Sequence, residues 1–102
     1  MKFSEFLNQA ALHAADCIEG IGENREKMGR QTRDFEFEHG DWFARITADF
    51  SIHEKRSGDY LVDFYEAKTE VYFEDTPVVV AQPWFDFVEK VIDESINDTV
   101  GL

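Results

Sequence analysis

The chain has 102 residues, 22 of them acidic and 10 basic, giving a formal net charge of −12; 43% are hydrophobic and 15% aromatic. That length and apolar content fit a single α+β domain over 1–102 and argue against disorder. One cysteine excludes an internal disulfide; no run reaches the roughly 20 apolar residues of a membrane span, and the acidity disfavours direct contact with nucleic acid or anionic lipid.

Residues 1–33 carry five basic and five acidic groups, whereas residues 34–102 carry five basic and seventeen acidic ones. The whole net charge therefore lies in the last two-thirds. With no secretory-type apolar stretch at the N-terminus and one unpaired thiol, the expectation is a cytoplasmic protein.

Phe3, Leu7, Ala10, Ala14, Cys17 and Ile21 recur at spacings of three and four, which predicts a helix over 4–19. Ser4 is its expected N-cap, with Gly20 and Gly22 as stop signals. Cys17 falls on the apolar stripe and reads as a buried structural thiol; His13 falls on the polar side and reads as solvated. Residues 20–33 show no clear period, hold three glycines and four of the ten basic residues, and read as a surface loop. Folded over the acidic surface, the basic stretch 25–33 would neutralise it.

From residue 34 the period becomes two. Phe35, Phe37 and His39 alternate with Asp34, Glu36 and Glu38; Gly40-Asp41 is a hairpin signal; then Trp42, Ala44, Ile46, Ala48, Phe50 and Ile52 alternate with Phe43, Arg45, Thr47, Asp49, Ser51 and His53. A turn is expected at Lys55-Arg56-Ser57-Gly58. The next apolar series, Tyr60, Val62 and Phe64, changes parity before Ala67, Val71 and Phe73. Glu66-Ala67-Lys68-Thr69 contains no turn-forming residue, so one extra residue near Tyr65, a β-bulge within one long strand, explains the switch. The register expected on this basis pairs Ile52 with Tyr60, Phe50 with Val62 and Ala48 with Phe64, then Ile46 with Ala67, Ala44 with Thr69 and Trp42 with Val71. Glu74-Asp75-Thr76-Pro77 reads as a turn and Val78-Val79-Val80 as a short fourth strand. Pro83 then opens a second helix whose inner stripe is Phe85, Val88, Ile92 and Ile96, with fraying from Asp98 to Leu102. The predicted fold is a four-stranded antiparallel meander with N- and C-terminal helices on one face, in the order α-β-β-β-β-α.

Two helices on one face leave the other wet. The expected register puts Glu38, Phe43 and Glu70 in one row of that face, Glu36, Arg45 and Lys68 in the next, and then Asp34, Thr47 and Glu66, with Asp49 beside Asp63. A plain solvated sheet face would also look acidic. An exposed Phe43 among carboxylates, however, suits an interface anchor. These six residues, Glu36, Glu38, Phe43, Arg45, Lys68 and Glu70, are the candidate partner-binding site.

No sequence motif points to catalysis or to a cofactor. The three histidines lack metal-ligand spacing, His53 facing Asp59 across a hairpin tip has no sheltered nucleophile, and open carboxylates lack the burial that raises a pKa. Helix–meander–helix order with an acidic surface resembles, in outline alone, frataxin and small acidic inhibitors that mimic double-stranded DNA. No motif accompanies the outline, so no residue is carried over. The expected function is that of a non-enzymatic protein docking a basic protein surface, an inhibitor or accessory factor of phage or mobile-element type. The alternatives are a carboxylate-based metal handler and a structural homodimer paired through the Val78–Val80 edge.

Overall fold

The computed structural model describes residues 1–100, except for the side chains of 97–100. Of the fraying expected over 98–102, residues 98–100 fall within helix α2, and 101–102 lie outside the described residues. The element order is α1 (Phe3–Glu23), β1 (Gly29–His39), β2 (Trp42–Glu54), β3 (Tyr60–Phe73), β4 (Thr76–Val78) and α2 (Gln82–Val100). The strands form one antiparallel sheet in the order β1-β2-β3-β4, the predicted α+β meander.

Helix α1 is longer than its propensities suggest. It starts at Phe3 with no side-chain cap from Lys2, and Ser4 lies inside it. The one extra residue at this end places the Phe3 ring 5.6 Å from Trp42 and 5.1 Å from Trp84, at the meeting point of both helices and the sheet. At the other end it runs through Gly20 and Gly22 to Glu23 and closes on the Asn24 N–H, which donates to Gly20 O at 3.0 Å. Burial of Ile21 and the fit of Gly22 under Tyr60 outweigh the weak helix propensity of glycine. The core joins α1 (Phe6, Leu7, Ala14, Ile18) to the inner sheet face (Ile46, Phe50, Ile52) and to α2 (Val88, Ile92). His13 is half-buried rather than solvated, with its ring 5.7 Å from that of Phe37.

Strand β1 begins five residues earlier than its apolar alternation implies, so the last five residues of the expected loop are strand. Gln31 occupies an inward position there and is nearly buried; its side-chain amide donates to Lys27 O at 2.9 Å. That local satisfaction lets a polar segment pair with the full length of β2.

The bulge is present. Phe50 pairs with Phe64 and Asp49 with Glu66, which leaves Tyr65 as the extra residue. The β2–β3 register, however, differs from expectation by two residues: Ile52 faces Val62, Ala48 faces Ala67, Ala44 faces Val71 and Trp42 faces Phe73. The turn explains the difference. Lys55 and Asp59 close it (Lys55 N–H to Asp59 O, 2.7 Å), Gly58 N–H donates to Lys55 O at 3.0 Å, and Gly58 has φ +90°. This is a three-residue loop, Arg56-Ser57-Gly58, with glycine in the left-handed position that such loops require. Its centre lies at Ser57, one residue later than the expected register needs, and each residue of turn displacement moves the pairing by two.

The last turn is tighter than expected, with only Glu74 and Asp75 between Phe73 and Thr76, both in the left-handed region (φ 49° and 65°). The fourth strand is accordingly Thr76–Val78 rather than 78–80. Val79 is 95% exposed and Val80 turns toward the core. The pairing of Val71 with Val78 and Phe73 with Thr76 directs residue 77 outward, and there proline has no N–H to offer. Pro83 is the second residue of α2, as its fixed φ favours.

Candidate functional site

The outward positions are Arg30, Thr32, Asp34, Glu36 and Glu38 on β1; Phe43, Arg45, Thr47, Asp49, Ser51 and His53 on β2; and Leu61, Asp63, Glu66, Lys68, Glu70 and Tyr72 on β3. All six candidate residues share this face. Their rows differ from expectation because of the two-residue shift. Glu36, Arg45 and Glu70 form one row, Glu38, Phe43 and Tyr72 the next, and Lys68 moves beside Thr47 and Asp34.

Arg45 sits between two carboxylates. Its guanidinium donates to Glu36 Oε2 at 2.9 Å and lies 3.7 Å from Glu70 Oε2, which also accepts from the Tyr72 hydroxyl at 3.2 Å. The Glu36 hydrogen bond is the main influence raising the Arg45 pKa, with Glu36, Glu70 and Asp34 charges adding to it, against partial desolvation. These groups are solvated, so they order the side chains more than they stabilise the fold. Thr47 donates to Asp34 at 2.7 Å in the neighbouring row.

Phe43 is half-buried, not exposed as expected. Its ring centroid lies 5.9 Å from that of Tyr72, and the Arg45 guanidinium stands 5.7 Å from it, within cation–π range. Around this pair is a shallow hollow of about 390 Å³ lined by Glu38, Phe43, Arg45, Tyr72 and Asp75. A second hollow of about 230 Å³ adjoins it, where Asp41, Glu74 and Asp75 of the two turns approach Trp42 and Phe43. The Glu74 N–H donates to Asp41 O at 2.9 Å, tying the turns together. An aromatic floor with a carboxylate rim is complementary to a lysine or arginine side chain. Tyr72 and Asp75 were missed from sequence because the expected register put Glu70, not Tyr72, beside Phe43.

At the opposite corner Arg30 donates to both oxygens of Asp49, at 2.8 and 3.3 Å, and its guanidinium lies 4.3 Å from the Tyr65 ring centroid. That hydrogen bond holds the Asp49 carboxyl below its ordinary value, with the Arg30 charge adding to it and partial burial opposing it. The bulge residue thus helps seat the one basic side chain that β1 adds to this face. Arg25 instead secures α1 to the distal hairpin, donating to Gly22 O and Gly58 O. Among the described residues no ion pair joins Arg25, Lys27, Arg30 or Arg33 to Glu36, Glu38 or Glu70. The basic stretch therefore neutralises Asp49 and leaves the aromatic end of the face acidic.

His53 faces Leu61 rather than Asp59, and its Nε2 lies 3.4 Å from Asp63 on an exposed surface. Cys17 Sγ lies 3.7 Å from His13 Nε2, and burial, with a smaller contribution from Asp16, pushes the thiol pKa up. A raised pKa keeps sulfur protonated and weakens it as a nucleophile. Among the described residues no group of three or more His, Cys, Asp or Glu converges as metal ligands would, and no helix is long and apolar enough to cross a membrane. No protein-family model, curated protein or solved structure matches the chain, so the functional argument rests on this geometry.

Proposed function

We propose that this protein is a non-enzymatic binding protein whose open sheet face docks a basic surface of a protein partner. The single observation that carries the reading is the half-buried Phe43–Tyr72 pair rimmed by Glu38, Asp75 and the Arg45-linked Glu70. A partner lysine or arginine placed over those rings gains cation–π contact and charge-assisted hydrogen bonds together. The remaining carboxylates of the face steer a cationic surface toward it. An inhibitor or accessory factor acts in this way by occupancy, covering a basic cleft without chemistry of its own.

The test is capture of basic proteins from a lysate at low salt, followed by elution with rising salt. Wild type should release its partner steeply with ionic strength. Phe43→Ala should weaken capture, and Glu38→Lys combined with Glu70→Lys should abolish it with the circular-dichroism spectrum unchanged. Equal retention of the same proteins by the charge-reversed variant, or release indifferent to salt, refutes the proposal.

A further inference from the structure

The sheet has a fourth-strand position that its own chain only partly fills. Strand β4 spans three residues and pairs with Val71, Tyr72 and Phe73, while β3 extends back to Tyr60. Backbone alternation directs the N–H groups of Ala67 and Thr69 away from β2, toward the same side on which Val71 meets β4. The Ala67 N–H shows that direction, because it donates to Glu89 Oε2 of α2 at 3.1 Å. A side-chain carboxylate there occupies the place of a carbonyl from a neighbouring strand.

Between this edge and α2 runs a groove of about 450 Å³, formed along Glu66–Glu70 on one side and by Gln82, Phe85 and Glu89 on the other. Its volume falls in the range of ligand-holding clefts. Thr69 lines it, is only 4% exposed, and carries one of the two buried side-chain oxygens without a hydrogen-bond partner among the described residues. Buried polar groups of that kind are normally satisfied, so the sheet is incompletely paired where Thr69 lines this groove, beside a strand edge that no strand covers.

We propose that an extended segment of a basic partner adds to this edge as an antiparallel strand alongside residues 66–70, displacing the Glu89 carboxylate from the Ala67 N–H. The proposal extends the docking surface argued above and rests on its partner being basic. Charge selects this occupant: Glu66 and Glu70 flank the edge on the open face and Glu89 stands across the groove, with Lys68 the one cation between. A second copy of this chain would bring an equally acidic edge against it. Side chains of an added strand alternate, so those on the open side meet Glu66 and Glu70 while those on the inner side lie over Phe85. The matching segment alternates basic with apolar residues.

The probe is a seven-residue peptide alternating lysine and valine, blocked at both ends, titrated into the full ¹⁵N-labelled chain. Its valines, lying opposite Ala67 and Thr69, turn their N–H groups toward β3, and its lysines turn theirs away. The parent peptide should shift the Ala67 and Thr69 amides and slow hydrogen exchange at Thr69. N-methylation of the valines should weaken binding at least ten-fold, and N-methylation of the lysines should change it less than three-fold. Equal affinity of the valine-methylated and parent peptides overturns strand addition. Shifts confined to Phe43, Arg45 and Tyr72 also overturn it, while leaving docking on the open face in place.

Discussion

Gly20 and Gly22 lie two residues apart near the end of α1, yet substitution should move stability in opposite directions. A Cβ at Gly20 meets nothing within 4 Å, whereas one at Gly22 would lie 2.6 Å from Tyr60 Cδ2, 2.7 Å from Cε2 and 3.1 Å from Cγ. Alanine for glycine within a helix gains about 0.5–1 kcal/mol through propensity and the unfolded chain. Gly20→Ala should gain that amount. At position 22 the same gain opposes an overlap with the ring, and overpacking costs about 1–3 kcal/mol. The ring has little room to yield, since Tyr60 packs against the core and lies under the Arg25 guanidinium, 5.8 Å from its centroid. The net loss should be about 1 kcal/mol. With an unfolding entropy of about 0.2 kcal/mol/K for a chain of this size, Gly20→Ala should raise Tm by about 4 °C and Gly22→Ala should lower it by about 5 °C. Differential scanning calorimetry reads both. In a Tyr60→Ala background Gly22→Ala should become stabilising, a coupling measurable in a double-mutant cycle. If both glycine substitutions raise Tm equally in the wild-type background, close approach to Tyr60 is not what makes position 22 glycine.

Three further outcomes are expected. Glu74→Asn with Asp75→Gly should stabilise by about 1 kcal/mol or more in urea titrations, because two L-residues now hold left-handed conformations that Asn-Gly adopts readily. Asp49 has a folded pKa below its ordinary 3.8, so the unfolded chain takes up the proton first. Its contribution is therefore complete above that value and lost as pH falls from 3.8 through the folded pKa; Asp49→Asn should remove this part of the acid dependence, and carboxyl NMR titration should place the Asp49 midpoint below 3.8. Pro77→Val restores an outward N–H to the exposed edge of β4 and should produce self-association that grows with concentration in sedimentation velocity, whereas wild type should show none through this edge.

Much of the architecture is legible in the sequence because side-chain periodicity reports burial directly. The change from three-and-four spacing to alternation separates α1 from the sheet, and the parity change between Phe64 and Ala67, in a segment without turn residues, reveals the bulge at Tyr65. Polar stretches that become ordered carry weaker signals. β1 extends back to Gly29 only because β2 offers thirteen residues to pair and Gln31 finds local acceptors. Of the candidate site, the shared face of all six residues follows from alternation alone. Who neighbours whom does not: the register that alternation suggests sets Lys68 beside Arg45 and leaves Tyr72 and Asp75 outside the site, whereas the structure pairs Arg45 with Glu70 and Thr47 with Lys68. The position of Gly58 was the available signal, since a three-residue hairpin loop needs glycine as its last residue.

Composition and pattern alone thus determined an acidic helix–meander–helix domain with one apolar and one charged sheet face. Tertiary structure decided the β2–β3 register, because a slip of two residues keeps every apolar side chain on the same face and costs the alternation nothing; only turn geometry and packing distinguish the alternatives. It also decided that β4 stops after three residues, where Val80 turns into the core. Both outcomes depend on contacts between segments far apart in the chain, which no local pattern records.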